Sequence, residues 1–180
     1  MNSERFFPFA DGHPFGPAGQ RAVGGGGGGG GPQFARPISD IAISGYFPNS
    51  GSDSFAMVDE VSPDDLDYIQ ANSGLPTAQF LLTALTDPGF DSDHRLSFRG
   101  ADLITGSQQL ACELYCGATF IESITLSGAS TPTTASAVLN PLNVANITDY
   151  GNLQVLIRDT GGVVKGASRR IYWVELKVGT

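Results

Sequence analysis

The sequence predicts an all-β protein, an antiparallel β-sandwich of jelly-roll-like type that follows an extended, glycine-rich N-terminal arm. Residues 37–180 of the 180-residue chain hold short segments in which apolar and polar side chains alternate, separated by turn residues. This spacing is typical of sandwiches and barrels, and no segment keeps a helical period. Residues 1–36 differ in composition and include an unbroken glycine run at 24–31. We therefore divide the chain into an arm, residues 1–36, and a sandwich domain, residues 37–180.

The individual strands are predicted from alternation with a period of two residues between turn signals. Along the chain they lie at 38–43, 54–61, 79–85, 94–99, 110–116, 120–126, 153–157 and 169–178. A single helical turn is predicted at 62–67, because Ser62 resembles an N-cap with Pro63 in the first position and acids after it.

The last strand contains the most prominent aromatic pair of the domain. Its predicted core-facing set alternates with a second set of side chains, the first being Tyr172, Val174, Leu176 and Val178 and the second Trp173, Glu175 and Lys177. Tyr172 and Trp173 are candidates for a surface contact, since aromatic rings on a sandwich can line a sugar-binding face. The alternative is that they belong to the core or to a contact between protomers.

The arm concentrates aromatic residues before its glycine run, namely Phe6, Phe7, Phe9 and Phe15. A run of glycines is a flexible tether, because ordering it in a strand or helix costs too much conformational entropy. Disordered tails are usually poor in aromatic residues. We therefore predict that the four phenylalanines dock into a partner protein, and the alternative is a tail without a docking function.

The charge of the chain excludes two classes of partner. The formal net charge is −8, and only two of the ten basic residues are lysines. Proteins that bind nucleic acid or anionic membranes carry basic patches, so neither partner is expected. No apolar run reaches the roughly 20 residues of a membrane helix. The N-terminus has no basic segment followed by an apolar one, so we expect a protein made and used without Sec-type secretion.

Cys112 and Cys116 are predicted to be reduced and buried. In one strand they share a face, but they lie about 13 Å apart along it, and a disulfide requires Cα atoms within about 7 Å. Free buried cysteines fit assembly in a reducing cytosol.

No metal, cofactor or catalytic residue is assigned from the sequence. The acidic segment 59–67 has the oxygen ligands that calcium prefers, but it lacks the D-x-D-x-D-G pattern of an EF-hand loop. Calcium binding there is therefore left open. His94 beside Asp93 has no accompanying nucleophile motif, and we predict that it begins a strand. The glycine run lacks the lysine of a phosphate-binding loop. An enzyme is therefore not expected.

Four segments resemble a group of tailed-bacteriophage virion proteins. They read RPISDIAISGYFPNSGSDSFAMVDEVSPDDLDYI, LTDPGFDSDHRLSFR, ITDYGNLQVLIRD and RRIYWVELKV, and the match extends over 36–178 without the arm. The resemblance implies a β-sandwich on the surface of phage particles, either as a capsid decoration protein or as a tail fibre module. It implies no catalytic residues.

The expected function is therefore that of a non-enzymatic virion structural protein, made in the host cytoplasm. The main hypothesis is a capsid decoration (cement or minor capsid) protein whose arm docks into the major capsid protein or other virion proteins. One alternative is a tail or fibre component with a receptor-binding or glycan-binding sandwich. Another is a carbohydrate-binding module of cellular origin. Virion proteins sit on rotational axes, so we expect a homo-oligomer, and a trimer is the working assumption.

Overall fold

The computed structural model describes residues 31–103, 109–160 and 164–179, with the backbone alone at 72–73 and 164–168. Within these ranges the strands are Gln33–Ala35 (β1), Pro37–Ser44 (β2), Tyr46–Pro48 (β3), Ile69–Gly74 (β4), Thr77–Leu82 (β5), Arg95–Asp102 (β6), Gln109–Cys116 (β7), Thr119–Ser127 (β8), Thr133–Val138 (β9), Leu153–Asp159 (β10) and Val164–Val178 (β11). A 3-10 helix at Phe55–Met57 and a four-residue α-helix at Pro141–Val144 (α1) complete the described elements.

Two antiparallel sheets form the predicted sandwich. One sheet has six strands in the order β3-β4-β11-β6-β9, with β1 also paired to β11, and the other has five in the order β2-β5-β10-β7-β8. The fold class predicted from the sequence is thereby confirmed.

The core lies between the sheets because each strand alternates its side chains. The inward residues of β10 are Leu153, Val155 and Ile157, all fully buried. Phe80 on β5 and Leu114 on β7 flank β10 on the same face and are equally buried. The predicted alternation in these strands therefore gives the correct inward face.

β11 is the central strand of the six-stranded sheet. One side pairs with β6, and the other pairs first with β4 and then with β1. The pairing with β6 shifts by one residue between Ile171 and Trp173. Such a bulge moves the residues on its two sides to different phases of the alternation.

Three local predictions differ from the structure. Gln33–Ala35 pairs with β11, so the sandwich begins before the predicted boundary at residue 37. The predicted strand at 54–61 is wrong, since Phe55–Met57 is a 3-10 helix. The carboxylate of Asp40 fixes it by accepting the backbone N–H groups of Ser54 and Phe55 at 3.0 and 2.8 Å. The predicted helical turn at 62–67 is wrong as well, because that segment forms bends and irregular backbone.

The cysteine prediction is confirmed, since Cys112 and Cys116 are both free and buried. Burial raises the pKa of the Cys112 thiol far above its ordinary value. Among the described residues there is no helix long and apolar enough to span a membrane. The phenylalanines that we predict to dock into a partner, Phe6, Phe7, Phe9 and Phe15, lie outside the described residues together with most of the glycine run.

Candidate functional site

The outer surface of the five-stranded sheet is an open array of mostly polar side chains, which we call the polar face. Register partners in antiparallel strands share a face, so the pairings arrange this surface in three rows. From β2 to β8 the rows are Ser39, Leu81, Gln154, Tyr115 and Phe120, then Ala42, Gln79, Leu156, Glu113 and Ser123, then Ser44, Thr77, Arg158, Ala111 and Thr125.

Glu113 is the hub of the polar face. Glu113 is only 5% exposed, and each of its two carboxylate oxygens accepts a hydrogen bond from a different side chain. Arg158 donates from Nε to Oε1 at 2.6 Å, and the Tyr115 hydroxyl donates to Oε2 at 2.8 Å. Hydrogen bonding to Glu113 raises the pKa of the Arg158 guanidinium, so this cation stays charged. Both partners are therefore held in fixed positions on the sheet.

An aromatic pair lies beside this hub. The rings of Tyr115 and Phe120 meet edge to face with centroids 5.6 Å apart. Burial, followed by the hydrogen bond to Glu113, raises the pKa of the Tyr115 phenol, so it remains a neutral donor. Phe120 is 51% exposed, which leaves one surface of a large apolar ring open to solvent. Together the rings offer an apolar platform next to fixed polar groups.

Two amides extend the polar groups away from the aromatic pair. Gln79 donates from Nε2 to Oε1 of Gln154 at 2.9 Å, and Gln154 donates in turn to Oδ1 of Asn152 at 3.2 Å. Each primary amide has further donor or acceptor capacity beyond these bonds. The polar face thus combines an exposed ring, hydrogen-bonding amides, a phenol and a guanidinium held by a carboxylate. Chemically, such groups can stack on an apolar ring surface and exchange hydrogen bonds with hydroxyl groups.

Tyr172 and Trp173, the candidates for a surface contact, are instead buried, at 2% and 7% exposure. The segment 59–67, which we call the acidic loop, crosses the outer surface of the six-stranded sheet. The Trp173 indole donates to the backbone carbonyl of Glu60 at 2.9 Å. The Tyr172 ring packs against Tyr68, with centroids 5.6 Å apart. Neither ring can stack on a ligand in this arrangement.

The acidic loop is attached to the sheet by an ion pair. Arg99 on β6 contacts both oxygens of Asp65, at 2.6 and 2.7 Å. The described residues include no group of three histidine, cysteine or acidic side chains positioned to hold a metal ion. The described residues therefore provide no evidence for a calcium site in this segment.

Glu60 in this loop has a strongly raised pKa. Partial burial, with the nearby carboxylates of Asp59, Asp67 and Asp64 adding to it, raises the pKa of Glu60 to about 7. Since the unfolded value is 4.5, the folded protein binds more protons than the unfolded chain between these two values. The stability contributed by a neutral Glu60 is therefore full below pH 4.5 and is lost as the pH rises towards 7.

We expect Glu60→Gln to stabilise the protein at pH 8 and to leave it nearly unchanged at pH 4.5, where wild-type Glu60 is already largely neutral. The gain at pH 8 should be about 1 kcal/mol after allowance for solvent screening, or a few degrees in Tm. Thermal melting at both pH values measures it, with Asp53→Asn as an exposed-acid control. An equal effect at the two pH values would contradict the assignment.

His94 immediately precedes β6, as predicted, and it has a structural environment. It is fully buried. Its Nδ1 lies 3.0 Å from the carbonyl oxygen of Ser92, and its Nε2 lies 2.7 Å from the Tyr150 hydroxyl. A carbonyl only accepts, so Nδ1 carries the hydrogen and donates to Ser92, while Nε2 shares a hydrogen bond with the Tyr150 hydroxyl. Both ring nitrogens are thus engaged in bridging two loops.

No protein-family model and no curated protein matches the chain. Solved structures are similar to this chain at low identity. The C-terminal CBM6 of LamC, a marine laminarinase from Zobellia galactanivorans, has 13% identity and a TM-score of 0.49 over 82% of this chain and 99% of its own. A carbohydrate-binding module from Cellvibrio mixtus lichenase 5A, in complex with cellotriose, has 13% identity and a TM-score of 0.45, over 82% and 97%. The enzymatically active domain of bacteriophage CBA120 tailspike protein 4 has 10% identity and a TM-score of 0.43, over 79% of this chain and 19% of that one.

Proposed function

We propose that this chain is a non-enzymatic, glycan-binding component of a phage tail or fibre, in which the polar face binds sugar and the arm attaches the sandwich to the virion. One observation carries the proposal: the half-exposed Phe120 ring lies in one sheet face with a buried carboxylate that fixes a tyrosine and an arginine. A sugar ring presents an apolar C–H surface to an aromatic ring and hydroxyls to planar polar groups, so it uses both features.

The charge of the polar face favours a neutral ligand. Among its fifteen register positions, Glu113 and Arg158 carry the charges, and they form an ion pair with each other. The face is therefore nearly neutral in a chain whose formal net charge is −8. Recognition by hydrogen bonds and ring stacking on a flat surface is weak for a single copy, and repeated copies on a particle compensate through avidity.

The glycan proposal predicts that Phe120→Ala weakens binding at least about tenfold, which is the equivalent of about 1.4 kcal/mol, with little change in Tm. The protein is displayed in multiple copies on beads and tested against an array of neutral glycans. Phe47→Ala is the matched control, because Phe47 is 56% exposed on the other sheet.

Two results would contradict the glycan-binding proposal. One is an array in which the wild-type protein retains no glycan. The other is an equal loss of binding for Phe120→Ala and Phe47→Ala, which would mean that the polar face has no special part in recognition.

The attachment part of the proposal predicts that removal of residues 1–31 leaves the Tm of the sandwich nearly unchanged but sharply lowers its occupancy on particles. Glycine-rich sequences transmit little orientation, so on this proposal the phenylalanines hold the protein by docking, each burying up to about 150–250 Å². Quantitative mass spectrometry of purified particles measures occupancy. If the truncated protein occupied particles as fully as the wild type, attachment would have to be made by the sandwich.

A copy number of the intact protein that matches the major capsid protein would favour the capsid decoration hypothesis over a tail position.

A further inference from the structure

The outer surface of the six-stranded sheet carries two patches of opposite charge. At one end the acidic loop holds Asp59, Asp64 and Asp67 besides the carboxylate that pairs with Arg99. At the other end Arg95 and Lys177 lie directly opposite each other on β6 and β11. Like charges in register across two strands are destabilising. Within the described residues neither Arg95 nor Lys177 forms a salt bridge with an acidic side chain. Arg95 donates a hydrogen bond to the Ser136 hydroxyl at 3.3 Å.

Apolar side chains accompany both patches. The acidic loop exposes Val61 and Leu66 to 78% and 77%. At the basic end, Phe34 and Val138 are register neighbours of Lys177 and Arg95 and are 41% and 50% exposed. A depression of about 270 Å³ opens there, lined by Asp93, Arg95, Val138, Lys177 and Gly179. The loop thus offers projecting apolar groups with negative charge, and the basic end offers a recess with an excess of positive charge.

The spacing of the patches permits them to meet reciprocally. Trp173, which the acidic loop covers, and Lys177 are four residues apart on β11, or about 13 Å along the strand. Midway lies a row formed by Glu175, Ser97 and Ser136. Glu175 is neutralised by Arg36, and the two serine hydroxyls are hydrogen-bonded at 2.8 Å. This middle row is uncharged on balance and carries small side chains at its centre, so it allows two sheets to approach.

We infer that two copies of this chain associate face to face through the six-stranded sheets, the acidic loop of each copy seated on the Arg95–Lys177 end of the other. The two-fold axis lies in the interface, across the strands at the level of Ser136. Each contact occurs twice, as in any isologous dimer. The polar face points away from the interface, so both copies keep it open to solvent.

Sedimentation velocity of the full chain tests the dimer with two charge-reversed proteins. Arg95→Glu with Lys177→Glu alters the basic end, and Asp59→Lys with Asp67→Lys alters the loop. We expect a dimeric wild type and two monomeric variants. An equimolar mixture of the two variants should form a heterodimer. In one contact the unchanged acidic loop of the first variant meets the unchanged basic end of the second. In the other contact the reversed, positive loop of the second variant meets the reversed, negative end of the first. Thermal melting verifies that each variant is folded.

A cysteine near a two-fold axis meets its own copy, which gives a second readout. Ser136→Cys should form a disulfide-linked dimer under mild oxidation, since Ser136 is exposed and the native cysteines are buried. Thr125→Cys, on the polar face, is the control and should crosslink much less. A monomeric wild type, a three-chain species, reversed variants that stay dimeric, or equal crosslinking of the two cysteine variants would overturn the inference.

Discussion

A chain that ends at Ser168 should fail to fold, rather than fold with a loose end. The lost segment is most of β11, which separates β4 and β1 from β6 in the six-stranded sheet. Without it, β3 and β4 have no strand to join them to β6 and β9. Its inward residues Ile171, Val174, Leu176 and Val178 are fully buried.

The size of this loss follows from burial. Each such side chain contributes about 1.5–3 kcal/mol, so four contribute roughly 6–12 kcal/mol, and a domain has about 5–15 kcal/mol in total. Circular dichroism of the purified truncation should show no cooperative melting transition. Deletion of residues 1–31 is the matched control, because it removes more residues than the truncation but none of the eleven strands in the described part of the chain. A truncated protein that stays soluble and melts cooperatively would show that the register of β11 is wrong.

Strands with regular alternation could be predicted from the sequence because a single physical period governs them. Leu153, Val155 and Ile157 are spaced two apart and all face the core. β9 gives no such signal, because its segment Thr133–Val138 has small, half-exposed side chains and lies at the edge of its sheet. Edge strands bury little, so the sequence pattern that marks a core strand is absent there.

The bulge in β11 accounts for the wrong orientation of Tyr172. Simple alternation places Tyr172 on the face of Val174, but the register shift between Ile171 and Trp173 puts Ile171 on that face instead. The same shift turns Arg169 inward, against the usual expectation for a charged side chain. A bulge depends on pairing with a neighbouring strand, so alternation within one segment does not reveal it.

The polar face was beyond prediction for a different reason. Alternation does identify Gln79, Glu113 and Arg158 as outward residues of their own strands. It does not reveal that β10 lies between β5 and β7, and this strand order brings the three residues together. Side chains far apart in sequence converge only through topology.

The inward-facing Arg169 should be the most sensitive polar position of the domain. Its side chain is 1% exposed and lies between Asp102 at the end of β6 and Asp159 at the end of β10. It thereby connects the two sheets, since β6 and β10 belong to different ones. Burial lowers the pKa of the Arg169 guanidinium, but an arginine remains protonated at neutral pH. The same environment raises the pKa of the buried Tyr46 phenol well above its ordinary value, chiefly by desolvation.

We expect Arg169→Met to destabilise the protein by about 3–5 kcal/mol at pH 7.5, because it removes the cation that lies between two buried carboxylates. The deficit should shrink at pH 4.5, since buried carboxylates that lose a cationic neighbour take up protons more readily and become neutral. The triple variant Arg169→Met, Asp102→Asn and Asp159→Asn should recover most of the loss at pH 7.5, since it removes all three charges together. Urea unfolding of the three proteins at both pH values measures these differences. A deficit that is the same at both pH values, with no recovery in the triple variant, would mean that packing rather than charge makes Arg169 necessary.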